Sequence, residues 1–332
     1  MKTSRHTTRI AAVGLWLCVL MPALIPDLAD AAEAARATNK PRLFVSTDIG
    51  NEPDDQMSLV RLLLYANVID IEGLVASTST WKRNVVSPEM IQSVVESYGE
   101  VRDNLLLHEP GWPTSAQLLG LISAGRAAYG LDGLRSGDPS VGARRLIEAA
   151  LRDDPRPLWV ALWGGASTLA EALQTARRTL PAPRLAALVA KLRVYSISDQ
   201  DDAGPWIRRE FPQLSYIVKP SPDDGTEYAS ATWTGISGDL YYRNGEGADG
   251  STVTQEWLQT NIRSKGPLGA HYPRHMFIME GDTPSFLGLI ANGLNSDQNP
   301  SWGGWGGRYI LRRPYGEVRP IWTQGGDLFP RV

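Results

Sequence analysis

From Arg42 onward the chain alternates short apolar runs with amphipathic segments, and a cluster of polar residues closes most of the runs. The runs at 43–47, 69–77, 157–163, 192–198 and 214–218 have the length and apolar content of buried strands. Helical spacing governs 57–64, 141–151, 169–179 and 206–211, and 105–107 is a further short apolar run. Buried strands alternating with helices predict an α/β fold of three layers, a largely parallel central sheet with helices on both faces. Ligands of such sheets sit beyond the carboxyl ends of the strands. The polar clusters Asp48–Asp55, Thr78–Trp81, Gly164–Thr168 and Asp199–Asp202, each following an expected strand, are therefore the places to seek a site. Long loops are expected over 221–250, and a tight turn at Gly303–Gly307, which has neither the lysine nor the strand-to-helix setting of a phosphate loop.

The first cluster, Asp48-Ile49-Gly50-Asn51-Glu52-Pro53-Asp54-Asp55, carries the most chemistry. It places Asp48, Asp54 and Asp55 on one loop, and like charges so close need protons or a cation to neutralise them. A hard divalent ion such as calcium suits this role, with oxygen ligands at about 2.3–2.6 Å, whereas zinc prefers histidine and cysteine. A plainer use of Asp54 and Asp55 is to cap the helix that begins near Gln56.

Composition narrows the partners. Lys2, Arg5 and Arg9 precede an apolar run over Ile10–Ile25 and then small residues to Ala32, the layout of a signal peptide over residues 1–31, so the mature chain is expected to be secreted or periplasmic. The one cysteine, Cys18, falls in that leader, leaving the remainder without disulfides or thiolate chemistry. A net charge of −3 with both signs mixed along the chain offers no basic stripe for nucleic acid and no polybasic patch for a membrane. A homo-oligomer is compatible with this composition. Eleven tryptophans, several beside glycine, proline or polar residues, point to an aromatic surface for sugars.

These residues resemble the calcium-dependent nucleoside hydrolases, whose first strand ends in Asp-x-Asp-Pro-Gly-x-Asp-Asp. Asp48 matches the second aspartate of that string, and Asp54 with Asp55 the final pair. Ser46 stands in place of the first, and two extra residues lie between Gly50 and the final pair. More specifically, the chain is similar to the nucleoside hydrolase-like domain of a family of cellulose-binding proteins. The similarity rests on 48–55, Trp163–Leu169, Ser198–Arg208, Glu280–Leu287 and Trp302–Tyr309, spans about 41–322, and implies one domain over 41–332. The C-terminal β-sandwich usual in such proteins is expected to be absent or truncated.

The resemblance implies calcium held by Asp48, Asp55, a backbone carbonyl near Ser167 and Asp282. Asp48 would take the proton of the attacking water, and the substrate would be a nucleoside or another small glycoside, or a polysaccharide. Nucleoside hydrolases often place a histidine before the last of these aspartates, where this chain has Gly281. Asp54, Asn51, Glu52, Asp199, Gln200 and Asp201 offer carboxylates and amides to sugar hydroxyls, and Trp81, Trp163, Trp206, Trp302 and Trp305 offer stacking faces. Trp163 and Trp206 equally suit a core, Asp199–Asp202 a turn before Pro205, and His108, His271 and His275 surface or packing positions. Two functions follow: an exported calcium-dependent hydrolase of N-glycosidic or related bonds, or a non-catalytic carbohydrate-binding protein on the same fold.

Overall fold

The computed structural model describes residues 40–135, 137–220, 231–234, 236, 250–274, 278–314 and 317–324. The expected leader at 1–31, most of 221–250 and His275 lie outside the described residues.

The first strand, β1 (Arg42–Thr47), is buried along its whole length. Strand geometry sends successive side chains to opposite faces, so Leu43 and Val45 enter one apolar core while Phe44 enters another. The same division recurs in β4 (Leu158–Leu162), where Trp159 and Ala161 face the first core and Leu158, Val160 and Leu162 the second. A sheet buried on both sides is thus written into near-continuous apolar runs. Helices α1 (Asp54–Leu63) and α2 (Pro88–Leu106) cover the first face through Leu59, Leu62, Ile91, Val94 and Val95. The second face is covered by α3 (Val141–Leu151), α4 (Ser167–Thr179), α5 (Ala182–Lys191) and α6 (Ala203–Glu210).

The remaining strands are β2 (Asp70–Ala76), β3 (Ile122–Ala124), β5 (Leu192–Ser196), β6 (Ser215–Val218), β7 (Ile310–Arg312) and β8 (Ile321–Thr323). They complete an eight-stranded sheet of order β3-β2-β1-β4-β5-β6-β8-β7. All neighbours run parallel except β7, which pairs antiparallel with β8 at the edge. The three-layer, largely parallel arrangement expected from the sequence is the one observed. The 105–107 run ends a long helix, and 303–307 is a turn closed by reciprocal Gly304 and Gly307 backbone bonds of 3.0 Å.

Two features of this topology matter for function. Strand order reverses direction between β1 and β4, the switch point beyond whose carboxyl ends such sheets place their ligands. At the opposite end, Arg42 is fully buried and grips Glu72 with a two-pronged contact, Nη2 to Oε2 at 2.8 Å, while donating to the Ala149 carbonyl at 2.7 Å. Arg156 pairs nearby with Asp154 and Asp70. The amino ends of the strands are thus tied by ion pairs and the carboxyl ends left to loops.

Candidate metal centre at the switch point

Asp48 is the first residue past β1, and it lies beside the residue that follows the end of β4 by two positions. A Cβ added at Gly164 would stand 2.8 Å from both Cβ and Oδ1 of Asp48, so only glycine lets the two strand ends approach this closely. Gly50, at φ +94°, then turns the chain toward α1 in a conformation that disfavours a side chain. Pro53 occupies the cap of α1, and no side chain caps that end. Asp54 and Asp55 are therefore not the helix's capping side chains, although their charge suits its positive end.

Asp54 and Asp55 meet Asp282, which stands just ahead of α7 (Pro284–Leu287). One carboxylate oxygen from each of the three lies within 4.8 Å of the others. Thr47 Oγ1 holds Asp55 Oδ1. Asp54 Oδ1 and Asp282 Oδ2 are buried with no hydrogen-bond partner among the described residues. Buried carboxylate oxygens are rarely left so. Burial raises Asp282 and Asp55 well above the usual carboxylate range, and their carboxylate neighbours push them further. Asp54 is pushed up to about 7 by burial and then by Glu52 and Asp48. Asp48 is also raised by burial, against opposing contributions from Ser79 and Lys82.

The observed cluster differs from the expected ligand set in that Asp54 joins Asp55 and Asp282 in it. Asp48 stands beside them, close enough to raise all three through its charge. Ser167 opens α4 with its N–H donated to Asp201 Oδ2 at 3.1 Å. Ser46 is buried, and its Oγ has no partner among the described residues. Lys82 escaped notice in the sequence, although it directly follows the polar cluster after β2. Its ammonium donates to the Ile49 carbonyl and, at 2.7 Å, to Ser87 Oγ, bracing the acidic loop from the side.

The other candidates divide. Asn51 and Glu52 are exposed on the loop, and Trp81 is 60% exposed on the rim. Asp199, by contrast, forms paired 2.8 Å bonds with Arg208. Gln200 Nε2 donates to the Trp163 and Ile197 carbonyls. Asp201 is 6% exposed and accepts the N–H groups of Ser167 and Ala203. The 199–201 side chains thus knit the loops after β4 and β5 together. Trp163 is buried, with Nε1 donating to Ser285 Oγ at 2.8 Å, and Trp206 packs on Phe211 and Arg177. His108 is exposed and His271 half-buried.

The family model described as cellulose-binding Sde182, nucleoside hydrolase-like domain, matches residues 42–309. Among solved structures, the chain is similar to a nucleoside hydrolase-related hypothetical protein from Saccharophagus degradans that is associated with carbohydrate metabolism. That match has 33% identity and a TM-score of 0.74, over 86% of this chain and 67% of that one. A plant nucleoside hydrolase matches with 11% identity and a TM-score of 0.39, over 85% of this chain and 93% of that one. No curated protein matches the chain.

Proposed function

Since the chain belongs to the family of cellulose-binding Sde182 nucleoside hydrolase-like domains, we propose that it is an exported, calcium-dependent hydrolase of N-glycosidic, nucleoside-type or related glycosidic bonds. The observation that carries this reading is the buried carboxylate cluster with its unpartnered oxygens on Asp54 and Asp282. Carboxylates this close cannot all be charged in a buried site without a compensating cation. The side-chain donors are all oxygen, which fits calcium and not zinc. Asp48, Asp55 and Asp282, with a backbone carbonyl near Ser167, would hold the ion, and Asp54 lies in the same cluster.

When bound, calcium supplies charge compensation and a water of lowered pKa. Asp48 would accept the proton of the attacking water at its carboxylate, standing at the end of β1 beside the cluster. Asp54 binds a ring hydroxyl, and the neighbouring carboxylates stabilise the positive charge of an oxocarbenium-like transition state. Asn51 and Glu52 on the exposed loop bind further hydroxyls, and Trp81 offers a stacking face at the rim.

One observation favours the second reading, a carbohydrate-binding protein without turnover. A Cβ at Gly281 would lie 2.6 Å from Asp54 Oδ2 and 2.9 Å from the Trp233 carbonyl oxygen. The site therefore has no room for a leaving-group acid at that position. Calcium calorimetry, with a panel of nucleosides and aryl glycosides assayed alongside, separates the two. Calcium binding with turnover is the expected result. Calcium binding and retention on cellulose without turnover would establish the second reading, and absence of calcium binding would overturn the first.

A further inference from the structure

We infer that Arg61 and Glu280 form a positioning clamp that sets how far Asp282 stands from Asp54 and Asp55, and thereby how tightly and selectively the cluster holds a divalent cation. The inference rests on the cation site proposed above and concerns residues outside its ligand set. Asp54, Ser58 and Arg61 follow one another on α1 at spacings of four and three, which places them on one stripe of the helix. Each meets the segment 280–283. Asp54 fills the space beside Gly281, and Thr283 Oγ1 lies 3.1 Å from Ser58 Oγ. Arg61 grips Glu280 with two prongs, Nη2 to Oε1 at 2.8 Å and Nε to Oε2.

Glu280 is fully buried and holds φ at 55°, a left-handed conformation that a residue with a side chain keeps only when its surroundings enforce it. The enforcement is visible. Besides Arg61, the Tyr272 hydroxyl donates to Oε1 at 2.6 Å, and Thr283 Oγ1 lies 3.1 Å from Oε2. The backbone pinned in this way reaches Asp282 two residues later. Mutual repulsion among the carboxylates pushes Asp282 away from α1, and the Arg61–Glu280 pair opposes it from the same helix. A two-pronged guanidinium contact fixes orientation as well as distance. Oxygen spacing separates calcium from magnesium, which demands shorter contacts and stricter geometry.

The test titrates wild type, Arg61→Lys, Arg61→Met and the double variant Arg61→Met/Glu280→Gln with calcium and with magnesium by calorimetry. Thermal unfolding in EDTA serves as a check on the fold. Outer partners of metal ligands typically change affinity by about 10–100-fold, and a calcium loss of that size is expected for Arg61→Met and the double variant. Arg61→Lys should retain part of the affinity, and the preference for calcium over magnesium should narrow across the series. Removing a nearby positive charge would, by electrostatics alone, tighten cation binding, so a loss has the sign that only positioning gives. Should Arg61→Met fail to fold, Arg61→Lys keeps the charge, lacks the second prong and decides the same comparison. Unchanged calcium affinity and selectivity, with or without a lower Tm, would overturn the clamp while leaving the cation site standing. A wild-type protein that binds no calcium would overturn both.

Discussion

Asp282 is a buried acid that costs the folded chain stability yet suits the cation site proposed for it. It is 2% exposed, one oxygen lacks a partner among the described residues, and the charges that raise it, on Asp55, Asp54, Asp48 and Glu52, all belong to acids. Replacing it by asparagine should leave the Tm in EDTA unchanged or higher, while the stabilisation gained on adding calcium disappears; paired thermal melts of Asp282→Asn and wild type check this. The pH dependence follows from the same residues. Asp54 rises from 3.8 to about 7 on folding, as does Asp201, so their contribution to stability is full below 3.8 and lost as pH climbs through about 7. In EDTA the protein should therefore melt higher at about pH 5 than at about pH 7.5. Saturating calcium should shrink that difference, with protons released on binding when calorimetry is repeated in buffers of different ionisation enthalpy. The acidic loop was legible because its members are sequence neighbours. Asp282 was reached only through a resemblance, since nothing local marks it. Asp199 and Asp201 carry the same functional group as Asp54, and composition could not tell that theirs turn inward to Arg208 and to backbone N–H groups.

At the scale of elements, the central strands were legible because a sheet buried on both faces leaves long apolar runs. Helix α2 was not read, although Ile91, Val94, Val95 and Tyr98 recur at helical spacing. Gly99 interrupts its pattern for a tertiary reason, since a Cβ there would lie 2.7 Å from Ser115 Oγ. The short strands β8 and, at the edge, β7 owe their form to pairing more than to their composition. The ion pair at the amino end of β1 yields a prediction of its own kind. Arg42→Met leaves Glu72 buried without its main partner, which should cost about 3–5 kcal/mol of stability. Calcium affinity should not change, because the contact lies at the end of the sheet away from Asp48; denaturant unfolding and calorimetry on the same variant check both halves.

Across the whole molecule, the order of strands sets one switch point between β1 and β4, and Gly164 lets the end of β4 close against Asp48 there. Other surfaces remain for a larger ligand. Trp302 and Trp305 are 47% and 65% exposed on the glycine turn behind α7. Exposed tryptophan faces are suited to apolar sugar surfaces. Under the carbohydrate-binding reading, Trp302→Ala/Trp305→Ala should lower retention on cellulose severalfold without altering calcium affinity, as measured by depletion assays beside calorimetry.

The separation of ion-paired ties at one end of the sheet from chemistry at the other also bears on how such a chain can change. Arg42, Glu72, Asp154 and Arg156 hold the strands together at the end of the sheet away from the acidic loops. Under the proposed function, changes in those loops would alter what the site binds on an unaltered frame, whereas changes around Arg42 would cost stability before they touched the site.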